Sequence, residues 1–222
     1  MKKNTLIALL LVLIQCTAFG GPAHAPTNDT DWKLEKNGNG IRVYSRQGTD
    51  SKFKEIRVLC EIKGTLSQFY SFFVDVDHYE DVIKGTKVAK LITQPNSFEF
   101  MYYTVIDLPW PASNRDLTIQ TNIDVDKGND KMTIQAENKE GVKPKNSSLV
   151  RIPYWRAEWR VRQKENNYLD IEYFFKVDPG GNLPAWIVNE TAPKSAYQTF
   201  INLEENLKLP RYQNKNYPFL DS

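Results

Sequence analysis

The sequence predicts an α+β domain in which a long antiparallel sheet curves around one C-terminal helix. Three observations carry this. Strand-like alternation dominates from Thr86 to Asp178. The helical patterns stand apart from it, in a short pair over 65–83 and in one long stretch after Leu183, and helices segregated from strands read as α+β. That last stretch carries a single apolar stripe, Val188, Ala192, Ala196, Phe200, Leu203 and Leu207, which needs a partner surface to bury it.

The elements follow in chain order. Lys2 and Lys3, an apolar run over Thr5–Phe19 and Ala23-His24-Ala25 have the layout of a secretory signal peptide, so 1–25 is expected to be a cleaved leader and 26–222 a single domain. An uncleaved anchor is the alternative, although the apolar run is short of the ~20 residues that span a bilayer. Asp31–Lys36 is expected to hold one helical turn around Trp32, and Ile41–Arg46 a strand. In 54–62, Ile56, Val58, Cys60 and Ile62 alternate with Glu55, Arg57 and Glu61, which predicts a half-buried strand. Leu66, Phe69, Tyr70, Phe73 and Val76 recur at helical spacing behind a candidate cap at Thr65 or Ser67, and a second short helix is expected at His78–Ile83. Strands follow at 88–93 and 97–106, joined by a Gln94-Pro95-Asn96 turn, with Phe98, Phe100, Tyr102, Thr104 and Ile106 on one face. Leu117, Ile119, Thr121, Ile123 and Val125 share a face in the next strand, and 131–137 forms another.

The clearest element is a hairpin. Trp155, Ala157, Trp159 and Val161 alternate with arginines and Glu158; beyond Glu165-Asn166-Asn167, Leu169, Ile171, Tyr173 and Phe175 alternate with Asp170 and Glu172. Centring the turn on Asn166 sets Arg162 opposite Asp170, Arg160 opposite Glu172 and Trp159 opposite Tyr173. Cross-strand pairs of this kind contribute about 0.2–1 kcal/mol each, and charge and aromatic pairing select the same register. Asp178-Pro179-Gly180-Gly181-Asn182 then ends the sheet, Pro184 is expected in the first turn of the last helix, and Pro193 is expected to bend or break that helix.

Composition narrows the chemistry. Without the leader the chain has 27 basic against 27 acidic residues, so no broad field for nucleic acid exists. Cys60 is then the single cysteine and His78 the single histidine, which excludes an internal disulfide and any triad or metal site built on several histidines. Cys60 reads as a buried structural thiol, and His78 beside Asp77, Glu80 and Asp81 as a solvated helix end rather than a metal site. Asp170 and Glu172 face arginines, which suits a solvated sheet face better than acid–base work. No catalytic residue, metal or cofactor is assigned. The aromatic residues Phe100, Tyr102, Trp155, Trp159, Tyr173 and Phe175 all fall on the inner faces, where they form either a solid core or the wall of a hollow.

Two ordered strings resemble a known family. Pro109 to Ile119, PWPASNRDLTI, and Lys176 to Asn189, KVDPGGNLPAWIVN, are similar to motifs of the START family, the StAR-related lipid-transfer domains. The first is most similar to the ceramide- and phosphatidylcholine-transfer branches. The likeness extends from about Trp32 to Tyr212. It implies a helix-grip fold, with the curved antiparallel sheet wrapped around the long C-terminal helix and an internal hydrophobic tunnel for one lipid (a phospholipid, a sphingolipid or another hydrophobic molecule). Phe100, Tyr102, Thr104, Thr121, Trp155, Trp159, Tyr173, Phe175 and Phe200 then become tunnel wall. Trp110, held between two prolines, becomes a membrane-contacting mouth residue, with Gly180, Gly181, Asn182 and Leu183 flanking the same mouth. Some relatives carry a second tryptophan where this chain has Asn182; Trp186, four residues on, is expected to pack within the helix, the alternative being that it substitutes for that second tryptophan. Arg115 and Asp116 are expected to pair and close the loop. Sterol-binding members carry a tunnel arginine where this chain has Thr121, which argues against sterol binding of that type. The implied protein is a non-enzymatic, monomeric lipid carrier, periplasmic or secreted, that touches membranes transiently. The alternatives are a helix-grip enzyme acting on a small hydrophobic molecule and a lipid-sensing module.

Overall fold

Alternating strands with one apolar face can bury that face against helices on one side only, and the chain does so. The computed structural model describes residues 31–108, 110 and 112–220. The leader expected at 1–25, and the prolines on either side of Trp110, lie outside the described residues. Ten strands form one sheet: β1 (Lys33–Gly38), β2 (Ile41–Gln47), β3 (Lys54–Lys63), β4 (Thr86–Asn96), β5 (Glu99–Ile106), β6 (Arg115–Asp126), β7 (Lys131–Asn138), β8 (Val150–Arg151), β9 (Tyr154–Lys164) and β10 (Tyr168–Asp178). Their order is β1-β2-β3-β10-β9-β7-β6-β5-β4, with β8 beside β6. Adjacent strands are antiparallel except for the two-residue parallel pairing of β8 with β6. The helices are α1 (Leu66–Phe73), α2 (Tyr79–Val82) and α3 (Ala185–Leu207).

The hairpin register predicted from charge and aromatic pairing is the one adopted. Arg162 faces Asp170, Arg160 faces Glu172 and Trp159 faces Tyr173. Asn166 and Asn167 close the turn with φ of 59° and 58°, a left-handed conformation that asparagine tolerates better than most residues. β10 continues this register into β3, where Ile171 faces Cys60 and Tyr173 faces Val58.

α1 begins where the sequence places it. The Thr65 hydroxyl accepts from the Gln68 amide while the Gln68 side chain accepts from the Thr65 amide, a reciprocal capping box. Its apolar residues are buried. Phe69 lies 5.9 Å from Phe73 and 5.7 Å from Trp159 between ring centroids, tying α1 to the sheet. Tyr70 and Phe72 pack outward on Tyr217, Phe219 and Tyr212 of the C-terminal segment.

Several local expectations are corrected. Lys33–Gly38 is a strand, not a helical turn: pairing with β2 supplies its backbone bonds although its side chains do not alternate. The turn after β4 sits at Ser97-Phe98, because the Asn96 side chain accepts from the Phe98 amide at 2.7 Å and closes a tight turn there. Phe98 therefore leaves the inner face and packs 5.0 Å from Phe219. α3 runs unbroken through Pro193, and Pro184 stands one residue before its start. The turn around Pro193 is held from outside: the Asn189 side chain accepts from the Lys54 amide at 2.8 Å and donates to the Lys52 carbonyl at 3.1 Å.

Because Phe69 joins α1 to β9 from a fully buried position, Phe69→Ala is expected to lower the unfolding free energy by about 3–5 kcal/mol, measured by urea titration.

Candidate functional site

The predicted wall residues come together on one face of the sheet. Phe100, Tyr102 and Thr104 stand on β5, Thr121 on β6 opposite Phe100, Trp155 and Trp159 on β9, and Tyr173 and Phe175 on β10. A chain of ring contacts links them. Tyr102 stacks on Phe100 at 5.9 Å, Phe100 meets Phe73 at 5.9 Å, and Phe73 meets Trp159 at 5.9 Å. Trp159 then meets Tyr173 at 4.4 Å, Tyr173 meets Phe175 at 6.2 Å, and Phe175 meets Trp155 at 5.8 Å. Phe200 of α3 lies over Trp159 at 5.2 Å and Tyr173 at 5.6 Å. Phe73 and Tyr79, the latter 5.3 Å from Tyr102, belong to the same cluster. The wall expected from the sequence does not include Phe73, although its helical phase with Phe69 carries the signal.

Coverage of this face by α3 is uneven. At one end Met132, Ile134, Val161, Leu169 and Ile171 are buried together with Leu203 and Leu207. Toward the other end Trp155, Trp159, Tyr173, Phe175 and Val177 are only partly buried, and so are Val188, Ala192 and Ala196 of α3. The helix thus seals the sheet over its C-terminal turns and leaves accessible surface under its N-terminal turns.

Polar groups beside the rings are neutral hydroxyls. Thr121 is 0 % exposed and its Oγ1 has no hydrogen-bond partner among the described residues. The Tyr102 and Tyr173 hydroxyls likewise bond to none of the described residues. Burial pushes both phenols above the usual tyrosine range, and Tyr102 adds to the rise at Tyr173. The charges lie on the opposite face of the hairpin: Glu172 accepts from Arg57 at 2.8 Å and from Arg160 at 3.1 Å, as the register requires. Cys60 is buried on β3 with its thiol pushed up by desolvation, and His78 bonds Asp75 at 2.8 Å.

The loops at the open end are joined by Arg115. Its buried guanidinium donates to the carbonyls of Pro179 at 3.3 Å and Gly180 at 3.2 Å, and also to that of Ser113. One side chain therefore ties the loop after β5 to the turn after β10. Contrary to the expectation from the sequence, Arg115 and Asp116 do not pair with each other. Asp116, 1 % exposed, accepts twice from Arg151 at 2.9 Å and once from the Tyr103 hydroxyl at 3.0 Å. Neighbouring residues of a strand point to opposite faces, so each finds its own partner. Gly180 adopts φ +67°, and a Cβ there would lie 2.9 Å from Pro153 Cδ and 3.2 Å from the Arg151 carbonyl. Gly181 and Asn182 are exposed and Leu183 is partly buried.

Trp110 is 92 % exposed. Trp186 is 67 % exposed and so does not pack within the helix as expected. It borders a cleft of about 520 Å³ between the N-terminal half of α3 and strands β1 and β3, lined also by Glu35, Lys36, Lys54, Asn189 and Lys194. That cleft is open and charged, unsuited to sheltering hydrocarbon, and is distinct from the aromatic face beneath the helix.

With this geometry in hand, comparison with known proteins is informative. The model of the family described as START domain matches residues 27–208. An uncharacterized protein of Pseudomonas aeruginosa is 27% identical over 182 residues, covering 82% of this chain and 88% of that protein. START domain-containing protein 10 of Homo sapiens is 24% identical over 203 residues, covering 86% of this chain and 66% of that protein. Among solved structures, a STAR-related lipid transfer protein from Xanthomonas axonopodis superposes with a TM-score of 0.74 at 24% identity, covering 81% of this chain and 99% of that one. Human STARD10 gives 0.73 at 18% identity, covering 84% and 77%. These likenesses match the helix-grip arrangement of curved antiparallel sheet and long C-terminal helix.

Two outcomes follow from the loop geometry. Hydrogen bonds from Arg151, aided by Tyr103, hold the Asp116 carboxyl below the usual carboxylate range against the opposing effect of burial. A lowered folded-state value contributes stability that is complete above the unfolded value near 3.9 and is lost as pH falls through the folded one. Asp116→Asn is expected to cost about 3 kcal/mol at pH 7, and its urea midpoint to fall less than the parent's between pH 5 and pH 2. Gly180→Ala is expected to destabilise by more than the about 1–2 kcal/mol of its left-handed backbone, because its Cβ also meets Pro153 and the Arg151 carbonyl, whereas Gly141→Ala, with a similar backbone and no neighbour, is expected to show the backbone part alone, both read from thermal unfolding.

Proposed function

This chain belongs to the START domain family, and from that membership together with the site geometry we propose that it encloses one lipid between the sheet and α3 and carries it between membranes. The uneven seal over the aromatic face is the observation that supports this most directly. Tyr173 combines a strongly desolvated phenol with residual accessible surface. A side chain that is neither in bulk water nor packed on all sides fits the border of a hollow. Phe100, Tyr102, Thr104, Thr121, Trp155, Trp159, Tyr173, Phe175 and Phe200 are its wall. Each methylene left in water costs about 0.8 kcal/mol, so two acyl chains of about thirty methylenes cost on the order of 20 kcal/mol outside such a shelter.

Transfer needs a place where the lipid leaves without crossing water. Trp110 serves as the membrane contact: an exposed indole gains at the bilayer interface, where tryptophan is enriched. The 179–183 turn lies beside the same loop, fastened to it through Arg115. No covalent step is required, and the site residues are read as binding rather than catalytic. The leader at 1–25 would deliver the chain to a periplasmic or extracellular space. A STAR-related lipid transfer protein among its structural relatives is consistent with this reading.

The test is a vesicle assay with the purified chain. Native mass spectrometry after incubation with liposomes is expected to find one lipid per chain; a chain that stays lipid-free contradicts the proposal. Trp110→Ala is expected to slow transfer of a fluorescent lipid between vesicles by about tenfold, since burying an indole contributes about 1.5–3 kcal/mol. Its melting temperature is expected to stay unchanged because the side chain has few contacts to lose. Transfer at the parent rate would remove the membrane role of this loop.

A further inference from the structure

Given the carrier reading above, on which this depends, we infer that the enclosed lipid presents an uncharged polar group, a hydroxyl, amide or ester, to Tyr102, Tyr173 and Thr121, and that phosphate-bearing lipids are disfavoured. The three hydroxyls stand on β5, β10 and β6 and share the aromatic face of the sheet. None has a protein partner among the described residues, and Thr121 Oγ1 is wholly buried. A buried polar atom without a partner is destabilising, and native proteins keep few of them. Thr121 Oγ1 is such an atom, and the Tyr102 and Tyr173 hydroxyls on the same face have no protein partner among the described residues, so a ligand with a polar group would complete all three. Hydroxyls both donate and accept, so they match a hydroxyl, an amide or an ester equally well.

The charge distribution excludes a phosphate at this position. Buried charged side chains among the described residues are Arg115 and Asp116. Arg115 is committed to the carbonyls of Ser113, Pro179 and Gly180, and Asp116 to Arg151 and Tyr103. Inner-face positions around the rings hold Phe100, Tyr102, Thr121, Trp159, Tyr173 and Phe175, and the one arginine on the same face of β6, Arg115, is the residue already committed to loop carbonyls. An anion moved from water to such surroundings loses its hydration and gains no counter-charge. Aromatic rings do attract a quaternary ammonium, but a phosphocholine brings its phosphate with it. The raised phenols agree with this chemistry, because both tyrosines remain neutral donors throughout the physiological pH range.

The experiment loads the purified chain from vesicles holding equal amounts of dioleoylglycerol, a long-chain ceramide, dioleoylphosphatidylcholine and dioleoylphosphatidic acid. Protein is re-isolated and its lipid identified by mass spectrometry. The two uncharged lipids are expected to exceed the two phospholipids by about tenfold or more, the equivalent of about 1.4 kcal/mol. Tyr102→Phe combined with Tyr173→Phe is expected to lower loading of the uncharged lipids by about tenfold and so to erase their advantage over the phospholipids, with an unchanged melting temperature showing that the variant is folded. Thr121→Val, which keeps the side-chain shape, provides the same reading if the double variant does not fold. Preferential loading of either phospholipid, or undiminished loading of uncharged lipids in the folded variants, overturns the inference and leaves the carrier reading standing. A chain that loads none of the four overturns both.

Discussion

The register of β9 against β10 is the constraint on which the rest of the structure depends. It sets Trp159 opposite Tyr173 on the inner face and Arg160 opposite Glu172 on the outer one. A slip of one residue would exchange the faces, driving arginines and carboxylates into the aromatic cluster and the indoles into water. Individual cross-strand pairs are worth at most about 1 kcal/mol, so the pairs alone do not enforce the register. Burying several unpartnered charges does, because each costs far more than any pair returns. Arg57 extends the same logic into β3 by meeting Glu172 at 2.7 Å. β10 sits between β3 and β9, so fixing its faces fixes the inner surface across the middle of the sheet.

What the sequence reveals and what it hides follows from how far each interaction reaches along the chain. The hairpin is legible because its pairs are near in sequence and two independent kinds of chemistry agree. α1 is legible because Thr65 and Gln68 carry the capping box within one turn. The family strings made the wall residues and the mouth loops nameable, yet not their partners. Arg115 and Asp116 look like a pair when written side by side, and strand geometry sends them to opposite faces. The true partners of Arg115, Pro179 and Gly180, lie 64 and 65 residues away. β1 and β8 are fixed by pairing with β2 and β6 rather than by any pattern of their own. Trp186 was readable in principle. It stands two residues before Val188, about 200° around a helix with 3.6 residues per turn, and so faces away from the stripe.

Arg115 couples the two loops at the open end. Two loops with no backbone pairing between them would move independently, and a tryptophan on one of them would hold no defined position relative to the other. A buried guanidinium that donates to carbonyls on both sides couples them. Desolvation lowers its pKa, but from so high a starting value that it stays charged. The close approach of Gly180 to Pro153 and the Arg151 carbonyl brings the turn within reach of β8, whose Arg151 holds Asp116. The loop carrying Trp110, the turn after β10 and the short parallel pairing thus form one connected unit at the open end.

α3 is held differently over its two halves, and the difference bears on where a lipid can pass. From Phe200 onward its grip is apolar: Phe200, Leu203 and Leu207 are buried against the sheet and α1. Releasing that half means exposing all three at about 1.5–3 kcal/mol each. Over Ala185–Ala196 the grip is chiefly polar, with Asn189 bonded to the Lys52 and Lys54 backbone and the stripe only partly buried. Such bonds exchange readily with water and contribute about 1 kcal/mol net apiece. Pro193 lies within this half and withholds one helical hydrogen bond. Opening therefore costs least at the end that adjoins the Trp110 loop and the 179–183 turn, while the far end keeps the helix attached to the sheet.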